Sequence, residues 1–203
     1  MKLYDVAMPA PNPRRVRIFL AEKGMSLPLE PVALMKREHK SPEFRAKNSL
    51  GQVPVLELDD GTHISESVSI CRYLEALHPT PPLFGTTPLE VALIDMWIRR
   101  IEFIVMGPIG NVWRHADDRT AKLLTQFRDF GESNREAALN AMRWLDRELS
   151  GRDFIAGPAF SAADITALCT LDFGSFIGLS IPDECANLKA WHERVSARPS
   201  AKA

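Results

Sequence analysis

Gly51-Gln52-Val53-Pro54-Val55-Leu56 is followed, beyond Asp59-Asp60-Gly61, by Ser65-Glu66-Ser67 at the head of an apolar-periodic segment. Two adjacent binding devices follow from this stretch. A cis Val53–Pro54 bond reverses the chain so that the N–H and C=O of Val53 point outward, free to pair with a peptide backbone as an added strand does. Ser67 and the free amides of the helical turn behind it offer an anion site, because a helix N-terminus carries unpaired donors and a partial positive charge. A peptide-like ligand with a free carboxylate satisfies both devices. The same residues also read as an ordinary proline opening a strand and a serine capping a helix.

Outward from this stretch the chain alternates. Residues 2–7 are a short apolar strand, and Met8-Pro9-Ala10-Pro11-Asn12-Pro13 must be a loop. Asn12 followed by Pro13 predicts a helix start, since Asn is a strong N-cap and Pro is favoured at the first helical position. Val16, Phe19 and Leu20 form its stripe, and Lys23-Gly24 closes it. Residues 29–34 predict a second strand, followed by a polar loop through His39 and Lys40 and a short helix at Ser41-Pro42-Glu43-Phe44. Residues 53–58 and 63–64 frame an Asp60-Gly61 hairpin. Ile70, Cys71, Leu74 and Leu77 recur at helical spacing up to Pro79. This order predicts an α/β layer fold.

After His78-Pro79-Thr80-Pro81-Pro82-Leu83-Phe84-Gly85, strand signals stop. Ile94, Trp97, Ile98, Ile101, Ile104 and Val105 predict one long helix, and Met142, Leu145 and Leu149 a second. A third starts at Ser161-Ala162-Ala163-Asp164, a capping box. Leu188, Trp191 and Val195 mark the last. The division expected is 1–78 for the α/β domain, 79–87 for the linker and 88–203 for an all-α domain.

Composition narrows the function classes. The net charge of −1 excludes nucleic acid or an anionic membrane as main partner. Cys71, Cys169 and Cys185 form no metal-ligand spacing, so no metal is expected, and a reducing cytoplasm is their simplest setting. No apolar run approaches the ~20 residues of a membrane span.

The spacing Asn48-x-x-Gly51-Gln52-Val53-Pro54-Val55-Leu56, Asp60-Gly61, Ser65-Glu66-Ser67-x-x-Ile70-x-x-Tyr73-Leu74 resembles the thioredoxin-like half of the soluble glutathione transferases, and the Ser161 box resembles the core helix of their all-α half. The resemblance implies a homodimer, reduced glutathione as co-substrate and transfer of its thiolate to a small hydrophobic electrophile. It places the γ-glutamyl carboxylate at Ser67, the α-ammonium near Glu66, and the cysteinyl backbone at Val53, with Pro54 shaping the turn and Gln52 adding an amide. His39 and Lys40 become the cationic candidates for the glycyl carboxylate.

One departure stands out. The family aims a Tyr, Ser or Cys at the sulfur from the first loop, yet none occurs between Asp5 and Met25, and Ala10 occupies the usual Ser or Cys position. Asn12 is one replacement, through its N–H and side-chain amide at the mouth of the first helix. His115 is the other, since the resemblance extends to atypical fungal and bacterial members thought to hold an activating water with a histidine of the helical domain. Met8, Pro11, Ile104, Val105, Pro108 and Trp113 are the candidate walls of an apolar electrophile pocket. Arg14, Arg15, Arg99 and Arg100 read as solvated helix faces. Glutathione-dependent disulfide reduction and a non-catalytic binding module are the alternative functions.

Overall fold

The computed structural model describes residues 1–6 and 9–203. The chain divides into two compact units, Met1–Leu83 with Lys202–Ala203, and Phe84–Ala201.

In the first unit, strands β1 (Lys2–Asp5), β2 (Leu29–Pro31), β3 (Val55–Glu57) and β4 (His63–Ser65) form a sheet of order β2-β1-β3-β4. β1 runs parallel to β2, whereas β1–β3 and β3–β4 are antiparallel. Period-2 alternation decides what each face buries. The register pairs Leu3 with Leu56, both fully buried, on one face. It pairs Tyr4 with Val55 on the other, where they pack with Val32 and with Phe44 of α2 (Pro42–Lys47). Helices α1 (Pro11–Glu22) and α3 (Ser67–Leu77) pack on each other. β2 is shorter than predicted: past Pro31 only Val32 still donates to β1, at 2.8 Å to the Asp5 carbonyl. Two 3₁₀ turns, Leu34–Lys36 and Glu38–Lys40, replace its second half. Leu77 is 46% exposed, since α3 stops there before His78-Pro79.

The Glu57 carboxylate accepts from Tyr4 Oη at 2.6 Å and also meets Lys47 Nζ (3.3 Å) and His63 Nε2 (3.2 Å). The tyrosine hydroxyl first, then the hydrogen bonds from Lys47 and His63, hold its pKa down at about 2 against an ordinary 4.5. A depressed carboxylate contributes stability that is fully present above the unfolded value and is lost as pH falls through the folded one. Urea midpoints should therefore decline between pH 4.5 and about 2. Glu57→Gln should flatten that decline, and an unchanged slope would exclude Glu57 as its source.

The second unit is helical: α4 (Pro88–Arg100), α5 (Gly107–His115), α6 (Arg128–Glu148), α7 (Ala162–Phe176) and α8 (Ala186–Ser196). α7 lies at the centre, with Ala162 to Leu171 buried without interruption. The predicted capping box forms, and Asp164 also reaches Ile155 and Trp191. The long helix predicted through Val105 is interrupted. A π-helical segment, Ile101–Met106, follows α4, and its wider turn keeps Ile101 and Val105 in the core while Ile104 is 43% exposed. No helix among the described residues is long and apolar enough to cross a membrane.

Candidate functional site

The loop before β3 is built by three residues. Asn48 is buried; its Nδ2 donates to the Gln52 carbonyl at 2.9 Å, and its Oδ1 accepts from Leu50 N–H at 3.1 Å. Lys40 Nζ donates to the carbonyls of Leu50 (3.1 Å) and Gly51 (2.7 Å). Gly51 has φ +57°, and a Cβ there would lie 2.4 Å from the His39 carbonyl oxygen, so only glycine fits. The chain leaves this clamp through Gln52, whose side chain is exposed, and the Val53–Pro54 peptide is cis. Among the described residues, the main-chain N–H and C=O of Val53 have no hydrogen-bond partner.

The pairing of Val55 with Ser65 brings the start of β3 and the start of α3 to the same end of the sheet. Glu66 is the N-cap of α3, with φ +67° and ψ 114°, a conformation that costs a residue with a Cβ roughly 1–3 kcal/mol. Its side chain is exposed and caps no amide. The first intrahelical bond is Ile70 N–H to the Glu66 carbonyl at 2.9 Å. The amides of Ser67, Val68 and Ser69 thus remain without partners among the described residues. Ser67 is buried, and its Oγ accepts from Arg15 Nη1 at 2.9 Å.

Arg15 overturns the reading of α1 as carrying solvated arginines, being only 3% exposed. Its spacing to the buried Ile18 and Phe19, three and four residues on, is the signal that places it on the inward stripe. Arg100 is likewise not simply solvated, since its guanidinium stacks 5.0 Å from the Trp97 ring centroid. The start of α1 also differs from the prediction. The N-cap is Ala10, in extended conformation and without a side-chain cap, and the helix begins at Pro11. Two prolines fit because the first helical amides have no intrahelical partner to lose. Asn12 therefore does not cap the helix. Its N–H is the only amide donor among Pro11, Asn12 and Pro13, and its exposed side chain makes no hydrogen bond among the described residues.

His39 was expected to act as a cation. It is half-buried, and burial, with the Lys40 and Arg37 charges, holds its pKa below the ordinary 6.5, so the ring is neutral at pH 7. Lys40 Nζ lies on the loop carbonyls.

In the helical unit, His115 ends α5. Its Nδ1 accepts from Phe127 N–H at 3.3 Å, and its ring lies against Phe127 and Phe130. That bond makes Nδ1 the acceptor, which leaves Nε2 as the ring's N–H donor. Gly131 of α6 allows the close approach, since a Cβ there would sit 2.7 Å from the His115 carbonyl carbon.

The expected pocket walls belong to both units. Val105 is fully buried and belongs to the core, which removes it from any pocket wall. Pro11 and Pro108 are half-buried. Trp113 packs edge-on to Phe173 at 5.5 Å, with Arg119 over its ring at 5.4 Å. Met8 lies outside the described residues. A cavity of about 470 Å³ in this unit is lined by α4 and the 148–158 segment, and none of these residues borders it.

This fold and this site define a class. The N-terminal domain family of the glutathione S-transferases matches residues 10–77, and their C-terminal domain family matches residues 125–199. The chain belongs to the glutathione S-transferase family. Among its relatives, glutathione S-transferase 2 of Saccharomyces cerevisiae is 44% identical over 206 residues, covering 100% of this chain and 88% of that protein. Human glutathione S-transferase theta-2B is 31% identical, covering 91% and 76%. The crystal structure of Gtt2 from S. cerevisiae superposes with a TM-score of 0.94 at 44% identity, over 100% of this chain and 99% of that one. A glutathione S-transferase domain-containing protein of Marinobacter aquaeolei superposes with a TM-score of 0.93 at 42% identity, over 98% and 99%.

Proposed function

We propose that this transferase binds reduced glutathione through residues 1–78 and adds its thiolate to a small hydrophobic electrophile carried by the helical residues 88–203, with 79–87 as linker. The observation that carries the binding half is the union, at one sheet end, of the unpartnered main chain of Val53 with the unpartnered first turn of α3. Glutathione is γ-Glu-Cys-Gly. Its cysteinyl main chain pairs with Val53 in the manner of an added strand, beside the turn made by Pro54. Its γ-glutamyl carboxylate takes Ser67 and the amides behind it, and Glu66 pairs with the α-ammonium. Gln52 adds a side-chain bond. For the glycyl carboxylate, His39 contributes a neutral N–H and Lys40 a charge.

The new S–C bond forms as the electrophile's leaving group departs with its electron pair, and the thiol proton passes to solvent. Lowering a thiol pKa near 8.5 by two units requires about 2.7 kcal/mol of preference for the anion. One or two hydrogen bonds to the sulfur at ~1.5–3 kcal/mol each, with ~0.3–1 from the mouth of α1, reach that total without a hydroxyl. Asn12 supplies such bonds. His115 supplies another through a water, with Nε2–H holding the water oxygen and the water donating to sulfur. Ile104, Pro108, Trp113 and Pro11 are the remaining candidates for contact with the electrophile. The cytoplasm suits three buried cysteines, and a homodimer follows the family's habit.

Asn12→Ala and His115→Ala should each raise the apparent pKa of bound glutathione by about one unit and cut kcat about tenfold, leaving glutathione affinity near wild type. Thiolate absorbance against pH and steady-state kinetics read both. Unchanged values in both variants would remove this activation scheme and leave the binding assignment standing. A mouth whose donors are an amide and a carboxamide also suits glutathione-dependent disulfide reduction. Turnover of a chlorinated aromatic above that of a small disulfide is the expected result.

A further inference from the structure

We propose that Arg15 is a positioning residue: it turns Ser67 into a hydrogen-bond donor for the ligand's carboxylate and so sets the preference of this site for a peptide with an anionic γ-glutamyl end. The inference rests on the reading that this carboxylate docks at the start of α3.

Arg15 and Ser67 are both buried, at 3% and 4% exposure, and Arg15 Nη1 lies 2.9 Å from Ser67 Oγ. A guanidinium has N–H donors and no acceptor, so the hydroxyl can only accept from it. The single hydrogen of the hydroxyl must go elsewhere. Ser67 is the first residue of α3, so its own helix offers no preceding-turn carbonyl to take that hydrogen. No acceptor among the described residues takes it either. Arg15 thus leaves the hydroxyl as a donor, alongside the unpartnered amides of Ser67, Val68 and Ser69. A guanidinium carries a positive charge, and a buried charge is screened far less than a surface one. The anion site therefore has a fixed cation behind it as well as a helix end. Arg15 itself is behind Ser67 and acts through it.

A merely structural Arg15, one that only holds α1 on α3, would change affinity for every ligand alike. The test compares glutathione with 4-aminobutyryl-Cys-Gly, the same peptide without the α-carboxylate, by calorimetric titration of the full chain. The readout is the ratio of the two dissociation constants. Wild type should favour glutathione about 10- to 100-fold, the range of hydrogen bonds to a charged group. Arg15→Gln should shrink that ratio about tenfold, yet change it less than about twofold when Ser67 is already Ala, since coupled groups are not additive. Arg15→Lys, which keeps a cation and a donor, should hold the ratio within about threefold of wild type.

If Ser67→Ala shrinks the ratio and folded Arg15→Gln does not, Arg15 has no such role while the docking assignment stands. If neither variant moves the ratio, or wild type shows no preference, the docking assignment fails and this inference with it. Should Arg15→Gln not fold, Arg15→Met, which keeps the length of the stem and removes the donor and the charge, takes its place: a ratio about tenfold below wild type supports the role, and a wild-type ratio refutes it.

Discussion

Asp164→Ala should destabilise the helical unit by about 3–5 kcal/mol, enough to leave a domain of ordinary stability close to unfolding. The carboxylate is completely buried and accepts four hydrogen bonds. Oδ1 takes Ile155 N–H and Trp191 Nε1–H at 2.9 Å each, and Oδ2 takes Ser161 N–H and Ser161 Oγ–H at 3.0 Å each. Burial pushes the Asp164 pKa up, and these donors pull it the other way. One side chain therefore ties together the segment after α6, the cap of α7 and the indole of α8. Alanine removes the acceptor and orphans the donors in a place water does not reach, which is the expensive way to lose a hydrogen bond. Asp172 provides the contrast. Its 2.6 Å pair with His192 is partly exposed, and Asp172→Ala should cost less than about 1 kcal/mol. Urea unfolding monitored by tryptophan fluorescence separates the two, and equal losses would contradict the account of the buried carboxylate.

Gly51→Val is expected to act on the other unit, and on the ligand as much as on stability. The left-handed φ and the 2.4 Å approach to the His39 carbonyl leave no room for a Cβ, and the obstructing atom is backbone. The loop must open, costing at least ~2 kcal/mol. The same opening detaches Lys40 from the Leu50 and Gly51 carbonyls and releases the segment that presents Val53. Glutathione affinity should fall at least about tenfold, because the pairing main chain is then no longer preorganised. Thermal melts and titration of the same preparation measure both effects. A variant with wild-type affinity would mean that the main chain of Val53 does not hold the ligand.

Much of the architecture was legible because it is local. The Asp60-Gly61 hairpin and the serine box at 161–164 depend on residues within a few positions of one another, and both form. The cis bond before Pro54, the condition on which the reading of Gly51–Leu56 rests, is present. The places where reading failed involve geometry that periodicity averages away. Ile104 and Val105 both fit an apolar stripe, but the π turn through Ile101–Met106 rotates one outward and buries the other. Asn12-Pro13 and Ala10-Pro11 are both acceptable helix starts, and only the observed dihedrals choose between them.

Sequence alone determined the strand and helix order of residues 1–78, the glycine-to-proline bend, the serine at the head of α3 and the lack of a Tyr, Ser or Cys between Asp5 and Met25, since each is a property of residue type at short spacing. Tertiary structure alone decided that Arg15 is joined to Ser67, 52 residues away, that Lys40 Nζ meets the loop carbonyls, and that His115 Nδ1 accepts from Phe127 N–H. Each of these depends on which donor meets which acceptor after helices and loops have packed, and spacing along the chain carries no record of that encounter.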